Sequence, residues 1–191
     1  RLLQNLKLAA ADETGALHPT ALGLLLFSSQ PDRHITGAYV DVAAYEGAEP
    51  DAARQRDAKA FHGTLVEQIE RTLEYLRASP FVPVTATKDG MGRKDIPAYS
   101  LRALQEAVVN ALVHRDYSIQ GAQMRVFLFG DRIEVSNPGK LHNTLTPGDL
   151  FAGCQPVRRN QMLAGFLRHF QSPLTGVAYM GLKYSWDLGF V

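Results

Sequence analysis

The sequence predicts an α+β fold built on a layered sheet. Three observations predict it. Thr64–Arg77 and Ser100–His114 repeat apolar residues at helical spacing. Thr36–Tyr45, Gln123–Phe129 and Arg132–Ser136 carry the alternation or β-branched content of strands. These segments follow no strict strand–helix–strand rhythm, which argues against a doubly wound parallel sheet. With 191 residues, 46% apolar and 20% charged, the chain can build one sizeable domain, or one domain plus a fragment.

Arg1–Ser29 reads as a short helix, a turn at Asp12-Glu13-Thr14-Gly15 and a second helix. Thr20 is placed to cap Ala21–Phe27, which is apolar all round and therefore expected to be buried. This segment is too small for a core of its own, so the expected division is 1–29 as connecting helices or the remnant of an upstream domain, and 30–191 as the main domain. The chain opens on Arg1 rather than Met, which suits a removed upstream part. Val40, Val42 and Ala44 mark the first strand of the main domain, and Gly47–Lys59 reads as an exposed connection. Thr64 with Glu67 spells a capping box, Leu65, Ile69, Leu73 and Leu76 a buried stripe, and Glu67 with Arg71 an i,i+4 ion pair.

Val82–Thr87 and Lys94–Tyr99 flank a Gly-rich turn, and Pro83 and Pro97 suggest edge strands. Gly130-Asp131 is a hairpin signal between the last two strands. Pro147–Ala152 and Asn160–Phe170 read as short helices.

Composition excludes several functions. Twenty Lys+Arg against 19 Asp+Glu leave a net charge of +1, so the chain as a whole is no strongly basic nucleic-acid binder. The single Cys154 rules out an internal disulfide framework and a cysteine zinc cage, and suits a reducing cytoplasm. His18, His34, His62, His142 and His169 lack ligand spacing. The longest apolar run, Leu22–Phe27, is far too short to span a bilayer.

The helix Ser100–His114 carries the chemistry. Leu101, Leu104, Val108, Ala111 and Leu112 make a core stripe, while Glu106, Asn110 and His114 line the opposite side with Ala103, Val109 and Val113 beside them. Arg102 and Glu106 are the only charges from Leu101 through Val113, so this side is expected to face a half-closed polar space rather than bulk water. A carboxylate and a carboxamide one turn apart suit metal and water chemistry. The Asn oxygen is a neutral hard ligand for Mg²⁺, and the Glu can orient or deprotonate a water. His114-Arg115-Asp116 has the letters of the kinase catalytic loop, but Gly121 stands where that loop needs Asn. His114 and Arg115 are instead expected to complement the helix dipole, and Asp116 to cap or pair. Further on, Ser136-Asn137-Pro138-Gly139-Lys140 is a strand running into a tight polar turn.

Glu106-Ala-Val-Val-Asn110 followed by Ser136–Lys140 resembles the E-x-x-x-N and D-x-G-x-G boxes of the GHKL ATPase superfamily, which includes gyrase, heat-shock-90 chaperones and histidine kinases. Pro19–Phe27, Glu106–Ser118, Asp131–Gly139 and Arg159-Asn160 are similar to a divergent RecG-like branch described as transcriptional regulators. In that branch an AlbA-like (Schlafen-type) DNA-binding domain precedes the ATPase-like one. The resemblance covers about Pro19–Phe170.

It implies a Bergerat-type α/β sandwich, a mixed sheet with helices on one face. It implies ATP with Mg²⁺ as cofactors and Asn110 as the metal ligand. Glu106 would position the hydrolytic water, as the catalytic residue of a Mg-dependent ATPase. Asn137 and Gly139 would meet the adenine, and the charges of Arg158 and Arg159 place them as candidates to reach phosphates. The implied function is an ATP-binding, ATP-hydrolysing domain of a DNA-linked regulator, cytoplasmic, homodimeric, touching DNA through its missing upstream domain. The alternative is a degenerate ATPase-like fold serving as a dimerisation or interaction module. The sequence departs from the superfamily at Asn137, where Asp is usual, and at Leu141, where Gly is usual. A charge-assisted bond to the adenine amine contributes about 1.5–3 kcal/mol against about 1 for a neutral one. No second glycine-rich box is recognisable after Phe170, and the tail Gly181–Val191 differs from the branch's usual continuation, which reads as a local divergence, a truncation or a frameshifted end.

Overall fold

The computed structural model describes residues 1–89, 92–140, 146, 148, 149, 152 and 158–180. Along the chain come α1 (Leu2–Asn5), β1 (Ala9–Ala11), β2 (Leu17–Pro19), α2 (Ala21–Phe27), β3 (Val40–Tyr45), β4 (Gln55–Phe61) and α3 (Leu65–Ala78). Then follow β5 (Val84–Asp89), β6 (Gly92–Pro97), α4 (Leu101–His114), β7 (Met124–Leu128), β8 (Ile133–Ser136) and α5 (Gln161–Leu167).

The main sheet has the order β4-β3-β7-β8. β3 runs parallel to β7, and the other two pairings are antiparallel, so the sheet is mixed, as the family resemblance implies. The β3–β7 register sets Val40, Val42 and Ala44 opposite Met124, Val126 and Leu128, and all six are 0% exposed. Because side chains alternate along a strand, these six share one face. The core cluster joins that face to Leu25 and Leu26 of α2, Ile69 and Leu73 of α3, Val108 and Leu112 of α4, and Leu163 and Leu167 of α5. The helices thus pack on one face of the sheet, giving an α+β sandwich. On the other face Tyr45 meets Phe127 edge-on at 5.4 Å and stacks on Phe129 at 5.7 Å, with the Arg132 guanidinium 4.2 Å above the Phe129 ring.

The helix α3 forms as its spelling predicts. Thr64 Oγ1 accepts from the Glu67 amide at 3.3 Å, and Glu67 Oε2 accepts from the Thr64 amide at 2.7 Å. The Thr64 amide is the first cause of a lowered Glu67 pKa, followed by the Thr64 hydroxyl. Leu65, Ile69 and Leu73 are fully buried, and Arg71 lies 4.0 Å from Glu67.

Three expectations are corrected. Within Gly47–Lys59, read as a connection, Gln55 onward forms β4, which pairs antiparallel with β3. Within Arg1–Ser29, the Asp12–Gly15 turn joins two short strands, β1 and β2, rather than two helices. Thr20 does cap α2, accepting from the Gly23 amide at 3.2 Å. Gly23 is required because a Cβ there would lie 2.2 Å from the Leu8 carbonyl oxygen. Leu8, Leu25 and Leu26 enter the common core, whereas Phe27 is 66% exposed against the expectation for this helix. The β5–β6 hairpin forms a separate two-stranded sheet. No helix among the described residues is long and apolar enough to cross a membrane.

Asp12 holds the β1–β2 turn. Its carboxylate accepts from the Thr14 hydroxyl at 2.7 Å and from the Thr14 and Ala16 amides at 2.9 and 3.0 Å, and it pairs with His18 at 2.8 Å. The Thr14 hydroxyl first, and His18 second, lower its pKa to about 2 from an ordinary value of 3.8. A carboxylate with a depressed folded-state pKa adds stability above its unfolded pKa and loses it as pH falls through the folded one. The turn is therefore expected to hold at neutral pH and to loosen between about pH 4 and pH 2. The Thr14 and Ala16 amide shifts in NMR should move over that window, and constant shifts would contradict the assignment.

Candidate nucleotide site at the end of α4

Ser100 starts α4, its hydroxyl accepting from the Ala103 amide at 3.1 Å. Leu104, Gln105, Val108, Val109, Leu112 and Val113 are all buried. Val109 and Val113, expected beside the polar residues, are 0% exposed, so the buried arc is wider than a single stripe. The cause is that α4 has neighbours on several sides. It contacts α3 and β8, and Gln105 Nε2 donates to the carbonyls of Val177 and Ala178 at 3.4 and 3.2 Å. From Ala103 to His114 no residue is exposed, and Glu106, Asn110 and His114 are half-buried. Glu106 and Asn110, at i and i+4, share the least buried face.

An α-helix leaves its last four carbonyls without intrahelical partners. In α4 three of them take side-chain donors. Asn137 Nδ2 donates to Ala111 O at 3.0 Å, Tyr117 Oη to Leu112 O at 2.9 Å, and Asn160 Nδ2 to Val113 O at 2.7 Å. Asn160 Nδ2 also reaches Arg115 O at 2.8 Å. Burial pushes the Tyr117 phenol well above its usual range, which keeps it a donor. Asn160 stands at the N-cap position of α5 yet makes no side-chain cap bond to its own helix.

The turn after β8 is fastened to the same helix end. The Asp116 amide donates to Pro138 O at 3.0 Å. Arg159 Nη1 pairs with Asp116 Oδ2 at 3.0 Å, and its Nη2 donates to Lys140 O. The Ser118 hydroxyl and then its amide hold the Asp116 carboxyl below its usual range, with Arg159 adding to the effect. Gly139 has φ +130°, and a Cβ there would lie 3.2 Å from Asp116 Cβ. Both conditions favour glycine.

Arg115, expected to complement the helix dipole, follows the last residue of α4 and is 0% exposed. Its Nη2 donates to Ala122 O at 2.8 Å and Thr36 O at 3.4 Å, and its guanidinium lies 4.7 Å above the Tyr117 ring. Nε and Nη1 are buried without a hydrogen-bond partner among the described residues. Burial lowers its pKa. Asp116, by contrast, pairs as anticipated.

The structure therefore brings Asn137 and Gly139 to the end of the helix that carries Glu106 and Asn110. Arg158 is half-buried in the segment before α5, and the Arg159 guanidinium is engaged by Asp116 and Lys140. Asn160, Tyr117 and Arg115 went unread as parts of this joint, although the Arg159-Asn160 pair was visible as a motif. Leu141, His142, Cys154 and Gly181–Val191 lie outside the described residues, as do Pro147, Leu150 and Phe151 of the expected helix Pro147–Ala152. Among the described residues no group of three or more His, Cys, Asp or Glu could hold a metal. A cavity of about 330 Å³ lies at the other end of the sheet, between Tyr45, Phe81, Pro83 and Phe129.

Residues 121–181 match a family model described as "Putative ATP-dependent DNA helicase recG C-terminal". The match supports an ATPase-like domain of this type. It spans β7, β8, the Asn137–Lys140 turn, Arg158–Asn160 and α5, while α4 with Glu106 and Asn110 lies upstream of it. The fold is also similar to the crystal structure of the DIP2311 protein from Corynebacterium diphtheriae, with a TM-score of 0.62 and 19% identity. That likeness, which speaks for the fold alone, covers 87% of this chain and 31% of the other, so the chain spans less than a third of that protein's length. No curated protein matches the chain.

Proposed function

We propose that this chain is the nucleotide-binding domain of a DNA-linked regulator, taking Mg-ATP at the C-terminal half of α4. The observation that carries the reading is the bond from Asn137 Nδ2 to Ala111 O. A carbonyl acceptor requires the amide nitrogen to face it, so the orientation of the Asn137 carboxamide is fixed. Oδ1 is then the acceptor left for an exocyclic amine such as that of adenine. An Asn in place of the superfamily's Asp thus keeps the one property that adenine recognition needs. The same bond sets the turn beside the residue that follows Asn110.

The donor set fits a magnesium nucleotide. Mg²⁺ uses few protein oxygens and takes the rest from phosphates and water, so Asn110 suffices as a protein ligand without an acidic cluster. Bound Mg-ATP would supply a phosphoanhydride whose cleavage releases a phosphate. Glu106, one turn before Asn110, is our candidate for the group that orients or deprotonates a water. Gly139 lets the turn close against Asp116 and is a candidate base contact through its backbone alone, and Arg158 is the candidate for phosphate contact. Near-neutral charge suits a ligand-binding and dimerising module that reaches DNA through another domain.

Titration with Mg-ATP, followed by thermal unfolding, tests this. At about a hundredfold over its dissociation constant a ligand adds roughly 2.7 kcal/mol, or about 5–10 °C for a domain of this size. Asn110→Ala should abolish the shift, and Glu106→Gln should keep it while losing hydrolysis. No shift at millimolar nucleotide would overturn the reading and favour the interaction module.

A further inference from the structure

The geometry assigns Arg159 as a positioning residue that sets the Asn137–Lys140 turn for base recognition, rather than as a phosphate ligand. The inference rests on the nucleotide reading above. Its observations are separate from those that suggested a phosphate role.

The Arg159 guanidinium is committed in two directions. Nη1 holds the Asp116 carboxylate at the end of α4, and Nη2 holds the Lys140 carbonyl at the end of the turn. Between these anchors the Asp116 amide holds Pro138 O. A Cβ on Gly139 would lie 3.7 Å from Arg159 Nη2, so the guanidinium lies directly against the turn it fastens. The next residue, Asn160, uses its amide on Val113 O and Arg115 O, which fixes the base of the Arg159 side chain relative to the same helix. The planar fork of an Arg can serve a carboxylate and a carbonyl together, and a Lys ammonium reproduces the charge without that fork. The side chains of Arg159 and Asp116 are 19% and 27% exposed, so the pair is partly desolvated.

Base and phosphate recognition can be separated with two probes, Mg-ATP and magnesium tripolyphosphate, which lacks the base. Titration calorimetry of wild type, Arg159→Gln and Arg159→Lys is the experiment. Losing one positioned hydrogen bond to the base should weaken ATP by on the order of tenfold in both variants, while tripolyphosphate stays within about twofold. Circular dichroism confirms folding, and amide exchange at Asp116 should quicken in both variants while that of α3 is unchanged.

If tripolyphosphate weakens as much as ATP, Arg159 touches phosphate and the inference is overturned while the nucleotide reading stands. Full retention by Arg159→Lys would reduce the role to charge alone and also overturn it. Should wild type bind tripolyphosphate and ATP equally, no base is recognised and the inference falls. Wild type that binds neither probe overturns the nucleotide reading itself, and this inference with it.

Discussion

Arg115→Ala is expected to lower the unfolding free energy by about 2–4 kcal/mol, and Arg115→Met by less than half as much. The two opposing terms are visible in the geometry. Arg115 has lost all contact with solvent and has two N–H groups without partners among the described residues, a desolvation cost that removal of the side chain relieves. Against this, Ala122 O and Thr36 O lose a charged donor, and the space left by a large side chain stays open beside the Tyr117 ring. Alanine suffers both losses. Methionine loses the same donor but fills most of the volume, so it avoids the cavity while relieving the same desolvation cost. Urea denaturation midpoints at equal slope would measure the pair. An alanine variant within about 0.5 kcal/mol of wild type, a typical change for a surface position, would show that Arg115 is not a structural joint.

Asn160→Asp should cost about 2–4 kcal/mol at neutral pH, more than Asn160→Ala at about 1–2. The alanine variant leaves Val113 O and Arg115 O without their donor. The aspartate variant also sets an acceptor-only carboxylate 2.7–2.8 Å from two carbonyl oxygens, at the negative end of a helix dipole. Such a carboxylate has its folded-state pKa raised, so the extra penalty is full above that pKa and fades as pH falls below it. The two variants should therefore converge in acid. A constant gap between them from pH 7 to about pH 4 would mean that the amide of Asn160 does not face those carbonyls.

These two residues also show where the sequence was legible and where it was not. Glu106 and Asn110 could be read because i,i+4 spacing places them on one face of any helix, whatever surrounds it. The capping box of α3 could be read for the same reason, since both partners lie within one turn. Asn160 could not, because its acceptors are 45 and 47 residues away and its local position suggests a cap for its own helix. The burial of Arg115 could not be read, because a cation at a helix C-terminus is explained locally by the dipole and the carbonyl of Thr36 that receives it lies 79 residues away. β4 escaped because it is an edge strand whose sequence, Gln55–Phe61, is mostly exposed and charged, so it lacks the apolar alternation that identified β3. β1 is three alanines, whose weak strand preference was supplied by pairing rather than by composition. Val109 and Val113 fell on the wrong side of a binary division because α4 is enclosed over about half its circumference.

The donors that complete α4 all follow it in the chain, at Tyr117, Asn137 and Asn160. During synthesis the helix emerges with its last carbonyls still solvated, and they are satisfied one after another as later segments arrive. Its parallel neighbours β3 and β7 likewise wait on each other across more than 75 residues. The half of the helix that bears Asn110 is thus fastened only by segments that follow it, and a chain ending before Asn160 would lack the donor to Val113 O and Arg115 O.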